Sequence, residues 1–417
     1  MANLRKKSAL LAACLLLALA ASACANSAGT SGAISLDARR AMAAEVDARL
    51  VDAGNEFGMR LHRQLVQAEQ NKNVFVSPLS VSLAFAMVYN GSRGDTQAEM
   101  ARALGWQGMS LDELNRGFAT LLSLMRQPGG GVQLRIANSL WPRKGAAFYD
   151  DFMENTRTFY GAQVSELDFR HPEAAATVNR WVNKQTSGKI PKVVEALDAA
   201  EVLLLINAVH FQGKWQKEFD PSATKEENFR LQDGSLKPVR MMKQTGTYEY
   251  REDEEVQAVR LPYGEGQMDM LIIVPKETSS LDELHDKLWA DTGRWREPFP
   301  KKRGEIQMPR FKIEYGKELG EPLQAMGMTL PFDDAKADFS GMAPIPPNLY
   351  ISAVKHKTFL EVNEKGTEAA AATAIHAKAG SAPIDAPFRI VVNRPFFFAI
   401  EDRQIGAWLF VGSVVEP

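Results

Sequence analysis

Residues 202–211 form an apolar run in which Asn207 and His210 are the polar members. A run of that length and character predicts a strand buried on both faces, at the centre of a sheet that other layers must cover. The rest of the chain supplies those layers in a definite order. Val46, Leu50, Phe57, Leu61 and Leu65 recur at threes and fours, which predicts a helix over 46–67. Pro78 marks a further helix start with Ser77 placed to cap it, and its apolar continuation to residue 89 predicts a buried helix ended by Asn90 and Gly91. Helical patterns follow at 95–104, 111–125, 148–160, 174–186 and 281–289. Val132, Leu134 and Ile136 alternate as in a half-buried strand. Strand patterns dominate the second half, at 239–250, 256–262, 268–274 and 305–314. With no internal repeat, this ordering predicts an α+β domain with large, mainly antiparallel sheets.

Composition excludes several classes. A hydrophobic fraction of 45%, a charged fraction of 24% and a formal net charge of -2 describe an ordinary globular protein. They give no overall pull toward nucleic acid. The six histidines sit in no His-Glu-x-x-His, and there is neither a Gly-x-Ser-x-Gly elbow nor a phosphate-binding glycine loop, so no enzyme and no cofactor is expected. Arg294, Arg296, Lys301, Lys302 and Arg303 form the only dense basic run, which a solvated loop explains.

The N-terminus carries an address. Arg5, Lys6 and Lys7 precede an apolar run over 9–20 and then Ala21, Ser22 and Ala23, the order of a secretory signal over residues 1–23. Both cysteines, Cys14 and Cys24, lie here, so the exported body has no disulfide. Cys24 directly after small residues is similar to a bacterial lipobox, with cleavage after Ala23 releasing a soluble protein as the competing reading. Residues 24–45 are then a lipidated cysteine and flexible tether, and the domain proper runs over 46–417. The expected location is the cell envelope or the outside of the cell.

The segment from Glu364 to Ala374 is the most unusual. Ala369, Ala370, Ala371 and Ala372 read locally as helix. Phe359, Leu360 and Val362 before them look like strand, and Lys378 to Pro383 after them is loop by composition. A chain that slides between two strands needs small side chains and no charge on its buried face. In an extended chain Thr367, Ala369, Ala371 and Thr373 share one face; all are small, and Glu368 lies on the other. Gly366 supplies a hinge.

Gly366 to Thr373 resembles the hinge of inhibitory serpins, and 391–400 resembles that family's C-terminal signature. Further similarity lies at 73–80, at Asn207 through Trp215, at 337–341 and at His356-Lys357, covering about 47–417. The resemblance implies a serpin fold: three β-sheets, eight or nine helices and an exposed reactive-centre loop at about 364–389. It implies a monomer that offers this loop to a serine protease and traps it as a covalent complex, with a cysteine-protease target or a non-inhibitory carrier or chaperone as the alternatives. By the same resemblance Ser77, Ser80, Asn207 and His356 are shutter residues and Trp215 marks the breach. Glu364 heads the hinge strand and is expected to pair with Arg310 or Lys312. The bait bond is Gly380-Ser381 by spacing, or Lys378-Ala379 for a trypsin-like pocket.

Overall fold

The computed structural model describes residues 35–344, 348–367 and 386–417. Among them are ten α-helices: α1 (Leu36–Ala44), α2 (Ala48–Ala68), α3 (Pro78–Tyr89), α4 (Gly94–Leu104), α5 (Leu111–Arg126), α6 (Asp150–Tyr160), α7 (Ala174–Gln185), α8 (Leu281–Ala290), α9 (Gly293–Arg296) and α10 (Gly320–Ala325). The last two are short, which separates this count from the eight or nine expected.

Six strands form the central sheet: β2 (Val132–Pro142), β3 (Gln163–Val164), β4 (Leu203–Lys214), β10 (Phe311–Glu318), β11 (Ala353–Asn363) and the two-residue β12 (Gly366–Thr367). Their order is β10-β11-β12-β4-β2-β3, with β11 also paired to β4. The other network comprises β1 (Val74–Val76), β5 (Lys225–Arg230), β6 (Leu236–Glu252), β7 (Val256–Tyr263), β8 (Met268–Pro275), β9 (Lys301–Pro309), β13 (Phe388–Val391), β14 (Phe396–Asp402) and β15 (Ala407–Val414). Two hydrogen-bonded networks thus stand where three sheets were expected. The 17-residue β6 explains the merger: Met241 to Glu249 pair with β9, while Glu249 to Glu252 pair with β7.

The apolar run is β4, and its side chains alternate between two cores. Leu203, Leu205, Val209 and Phe211 enter the main core. Leu204, Ile206 and Ala208 face the opposite way, into a smaller cluster capped by Ala174, Val178 and Val182 of α7. Helix α3 is buried along its whole length, as its small and largely apolar side chains require.

Two sequence expectations are corrected. Residues 36–44 are not tether but α1, whose Arg39 is buried and joined to Asp402, with Nε donating to Gln127 O at 3.0 Å. The domain proper therefore includes residues 36–45, upstream of the residue 46 expected. The single strand expected over 305–314 is two, because the chain passes from one sheet to the other after Pro309. Pro309 is the last residue of β9 paired with β6, and the N–H of Arg310 still donates to Arg240 O at 2.8 Å before the chain enters β10.

Candidate functional site

Strands β4 and β11 run parallel, Leu204 to His210 against Ala353 to Phe359. Beyond that they part, and β12 fills the gap antiparallel to both. Gly366 lies opposite Lys214 and Asn363, and Thr367 opposite Gly213 and Val362. Only glycine fits the first position. Its φ is +140°, and a Cβ would sit 2.0 Å from Gly213 O and 2.7 Å from Lys214 Cα. Thr367 is fully buried, its Oγ1 2.8 Å from the hydroxyl of Tyr263. Tyr263 stacks on Trp215 at 4.4 Å and 10°. Trp215 ties down the returning chain, with Nε1 donating to Asn363 O at 2.9 Å and its backbone N–H to Lys365 O at 3.0 Å.

Glu364 anchors the turn into β12. Its buried Oε1 accepts from Thr224 Oγ1 at 2.5 Å and from Arg310 Nε at 2.7 Å, with Arg310 Nη2 also in contact. Burial alone would raise this carboxyl, but the hydrogen bonds from Arg310 and Thr224 outweigh it and hold it below the usual range. Arg310 stands at the point where the chain changes sheets. Lys312, the other expected partner, does not reach Glu364. It lies on the exposed side of β10, 3.2 Å from Glu314 and over the ring of Phe359.

Beneath the parallel seam a polar cluster is sealed in the core. Ser80 Oγ donates to Asn207 Oδ1 at 2.8 Å, and Asn207 Nδ2 donates to Ser80 O at 3.0 Å and to Asn138 Oδ1 at 2.5 Å. His356 joins through both ring nitrogens. Nε2 accepts from the backbone N–H of Ser77 at 3.2 Å, so the ring proton of the neutral imidazole sits on Nδ1 and is donated to Asn207 Oδ1. Burial pulls His356 down to about 3, so it stays neutral. Ser77 does not cap α3 with its hydroxyl, which instead donates to Leu409 O at 2.7 Å. Thr358 Oγ1 donates to Phe75 O at 2.7 Å and fixes β11 from the same side.

A seam between parallel strands, opened at one end by the first residues of a returning loop, is joined at Asn207 and His356 to a buried network below. Residues 52–417 match the family model described as Serpin (serine protease inhibitor). The chain belongs to the serpin family. It is 36% identical over 382 residues to the leukocyte elastase inhibitor of Bos taurus, covering 88% of this chain and 100% of that protein. The crystal structure of tengpin, a thermophilic serpin, in its native state superposes with a TM-score of 0.82 at 30% identity, covering 89% of this chain and 95% of tengpin. Human thyroxine-binding globulin complexed with thyroxine superposes with a TM-score of 0.81 at 27% identity, covering 88% and 98%. The family match begins inside α2, so helix α1 of this serpin lies upstream of it.

Ala369, Ala370, Ala371, Ala372 and Thr373, the bait candidates Lys378, Ala379, Gly380 and Ser381, and Cys24 lie outside the described residues. Sequence reading missed Asn138, Thr224, Tyr263 and Thr358. Asn138 had a signal, a polar residue beside the buried Ala137, Ser139 and Leu140 of β2. Thr224 and Tyr263 had none, since each acts across the fold from its partner.

Proposed function

We propose that this serpin inhibits a serine protease as a suicide substrate, through insertion of its reactive-centre loop between β4 and β11. The observation that carries this reading is Thr367: buried, hydrogen-bonded to Tyr263, and already paired with both strands. Continued in the same register, Thr373 would reach the rung of Asn207 and His356, and His376 the rung of Leu204 and Ala353 where the parallel pairing begins. The residues that would face inward with Thr367 are Ala369, Ala371 and Thr373, all small. The protease's nucleophile attacks the bait bond and forms an acyl-enzyme. Insertion then carries the attached protease away, its oxyanion hole and catalytic groups lose their alignment, and hydrolysis stalls.

Incubation with trypsin, elastase, chymotrypsin and subtilisin, followed by denaturing electrophoresis, tests this. A complex that survives boiling is expected with at least one of them, and cleavage without any complex across the panel sinks the inhibitor reading. Thr367→Arg places a long cation where no space exists, so inhibitor becomes substrate; an unchanged complex yield refutes the insertion. Peptide mapping of the cut loop separates Gly380-Ser381 from Lys378-Ala379. A carrier reading is favoured by the likeness to thyroxine-bound thyroxine-binding globulin, and it predicts cleavage without complex together with saturable binding of a small apolar ligand. We further propose export, with lipidation at Cys24 tethering the inhibitor at the cell envelope, on the strength of the residues at 1–24. Intact mass of the exported protein decides this: a lipid adduct is expected, and its absence leaves the soluble form.

A further inference from the structure

Strands β8 and β14 pair antiparallel, and their register sets Glu401 directly opposite Asp269. Residues opposite one another in such a pair share a face, so two carboxylates meet side by side. Both are buried, Asp269 at 4% exposure and Glu401 at 2%. Two guanidiniums reach them. Arg260 of β7, itself 2% exposed, places Nε 3.7 Å from Asp269 Oδ2, Nη2 3.2 Å from Glu401 Oε2 and Nη1 3.7 Å from Glu249 Oε2 of β6. Arg403, just past β14, lies 3.4 Å from Asp269 Oδ2 and 3.1 Å from Glu249 Oε2.

Among the described residues, the further charged neighbours Arg296, Asp402 and Glu265 are already engaged, and Arg296 also draws Glu401 down. Arg296 of α9 is held by Asp52 at 2.8 Å, Asp402 is paired with Arg39, and the carboxylate of Glu265 accepts from Gln267 at 3.1 Å. Tyr263 of β7 is kept as the neutral phenol by burial, and Trp408 of β15 closes the row opposite Glu401. The cluster therefore holds three carboxylates, Glu249, Asp269 and Glu401, against two cations. Asp269 Oδ1 and Glu401 Oε2 have no hydrogen-bond partner. Three ionised carboxylates would leave a net negative charge in the core, which is costly.

We propose that Asp269 and Glu401 hold one proton between them in the native protein, which makes this strand pair a pH-sensitive element of the sheet. With that proton in place the cluster is neutral. Burial pushes both acids up, Asp269 furthest, with Glu401 adding repulsion to Asp269. The sign follows: an acid raised on folding stabilises the native state below its unfolded titration, and that stability is lost as pH rises through the native one. Asp269 follows Met268, which pairs with Tyr263, so the charge appears beside the tyrosine that receives Thr367.

The test compares the full exported protein with Asp269→Asn and Glu401→Gln. Infrared spectroscopy of the native wild type at neutral pH should show the carbonyl stretch of a buried protonated carboxyl, and either substitution should abolish it, since the remaining acid then ionises against the two arginines. The buried histidines impose the same acid loss on all three proteins, so the readout is the difference: relative to either variant, the wild type should lose melting temperature as pH rises between about 5 and 9, and the curves cross. Curves that run parallel overturn the proposal, and so does a band that persists in both variants. Should one variant not fold, the other carries the same readout; a wild type without the band overturns the proposal by itself.

Discussion

At the scale of single residues, the proposed insertion turns on two positions. Gly366 is the first, since its φ of +140° and the carbonyl of Gly213 exclude any side chain. Gly366→Ala should cost about 1–3 kcal/mol, the usual range for a backbone held in a forbidden region. The strain falls on β12, so complex yield should fall with the melting temperature. An alanine variant with wild-type values for both would show that β12 does not need this conformation. His356 is the second. It is depressed by burial to about 3 in the native state and titrates near 6.5 when unfolded. A histidine lowered on folding gives stability that is present above the unfolded value and lost as pH falls from about 6.5 toward 3. Burial also lowers His62, His210 and His285, so acid should destabilise this serpin steeply. His356→Gln removes one of these titrations. Its urea midpoint should lie below the wild type at pH 7, and the gap should narrow as pH drops; a gap independent of pH would rule out a neutral buried His356.

At the scale of elements, local pattern exposed what burial controls and missed what distant partners control. Strand β4 was legible because both of its faces are apolar, and α3 because all of its faces are. The break between β9 and β10 was not, since a run that leaves one sheet and enters another keeps the same alternation and only Pro309 marks the change. Gly366 and Thr367 were legible from their own chemistry, whereas Tyr263 and Thr224 reach them across the fold from β7 and from the loop before β5. Helix α1 was hidden for a different reason. Its alanines and charges read as linker, and its holding contact is a single buried arginine whose partners Asp402 and Gln404 lie more than 360 residues away. That contact is testable. A chain beginning at Ser35 should melt with the exported protein. One beginning at Val46 leaves Asp402 buried without a cation, a loss of about 3–5 kcal/mol for a broken buried pair. Equal melting of the two would mean that α1 contributes nothing to the body.

At the scale of the whole molecule, the proposed insertion would give the seam a better-paired arrangement than its present one. The seam is parallel over Leu204 to His210, the slightly weaker form of pairing, and only its far end is filled by β12. On the proposed mechanism an intact loop stays joined to β12 and to β13, which pairs with β9, and that connection holds it back from the seam. Cutting one bond near 378–381 removes that restraint. The freed segment can then extend β12 down the seam, antiparallel to β4 on one side and β11 on the other. Its small inward residues would occupy the space over Asn207 and His356. Limited proteolysis confined to the loop should therefore raise the melting temperature, the opposite of what a nick does to most proteins. The Thr367→Arg protein, cut at the same bond, should show no such rise, because its first inward residue blocks the path. If wild-type protein melts at the same temperature before and after the cut, the loop has not inserted and the trapping mechanism fails with it. If both proteins gain stability equally, the gain comes from elsewhere, and Thr367 is not the gate.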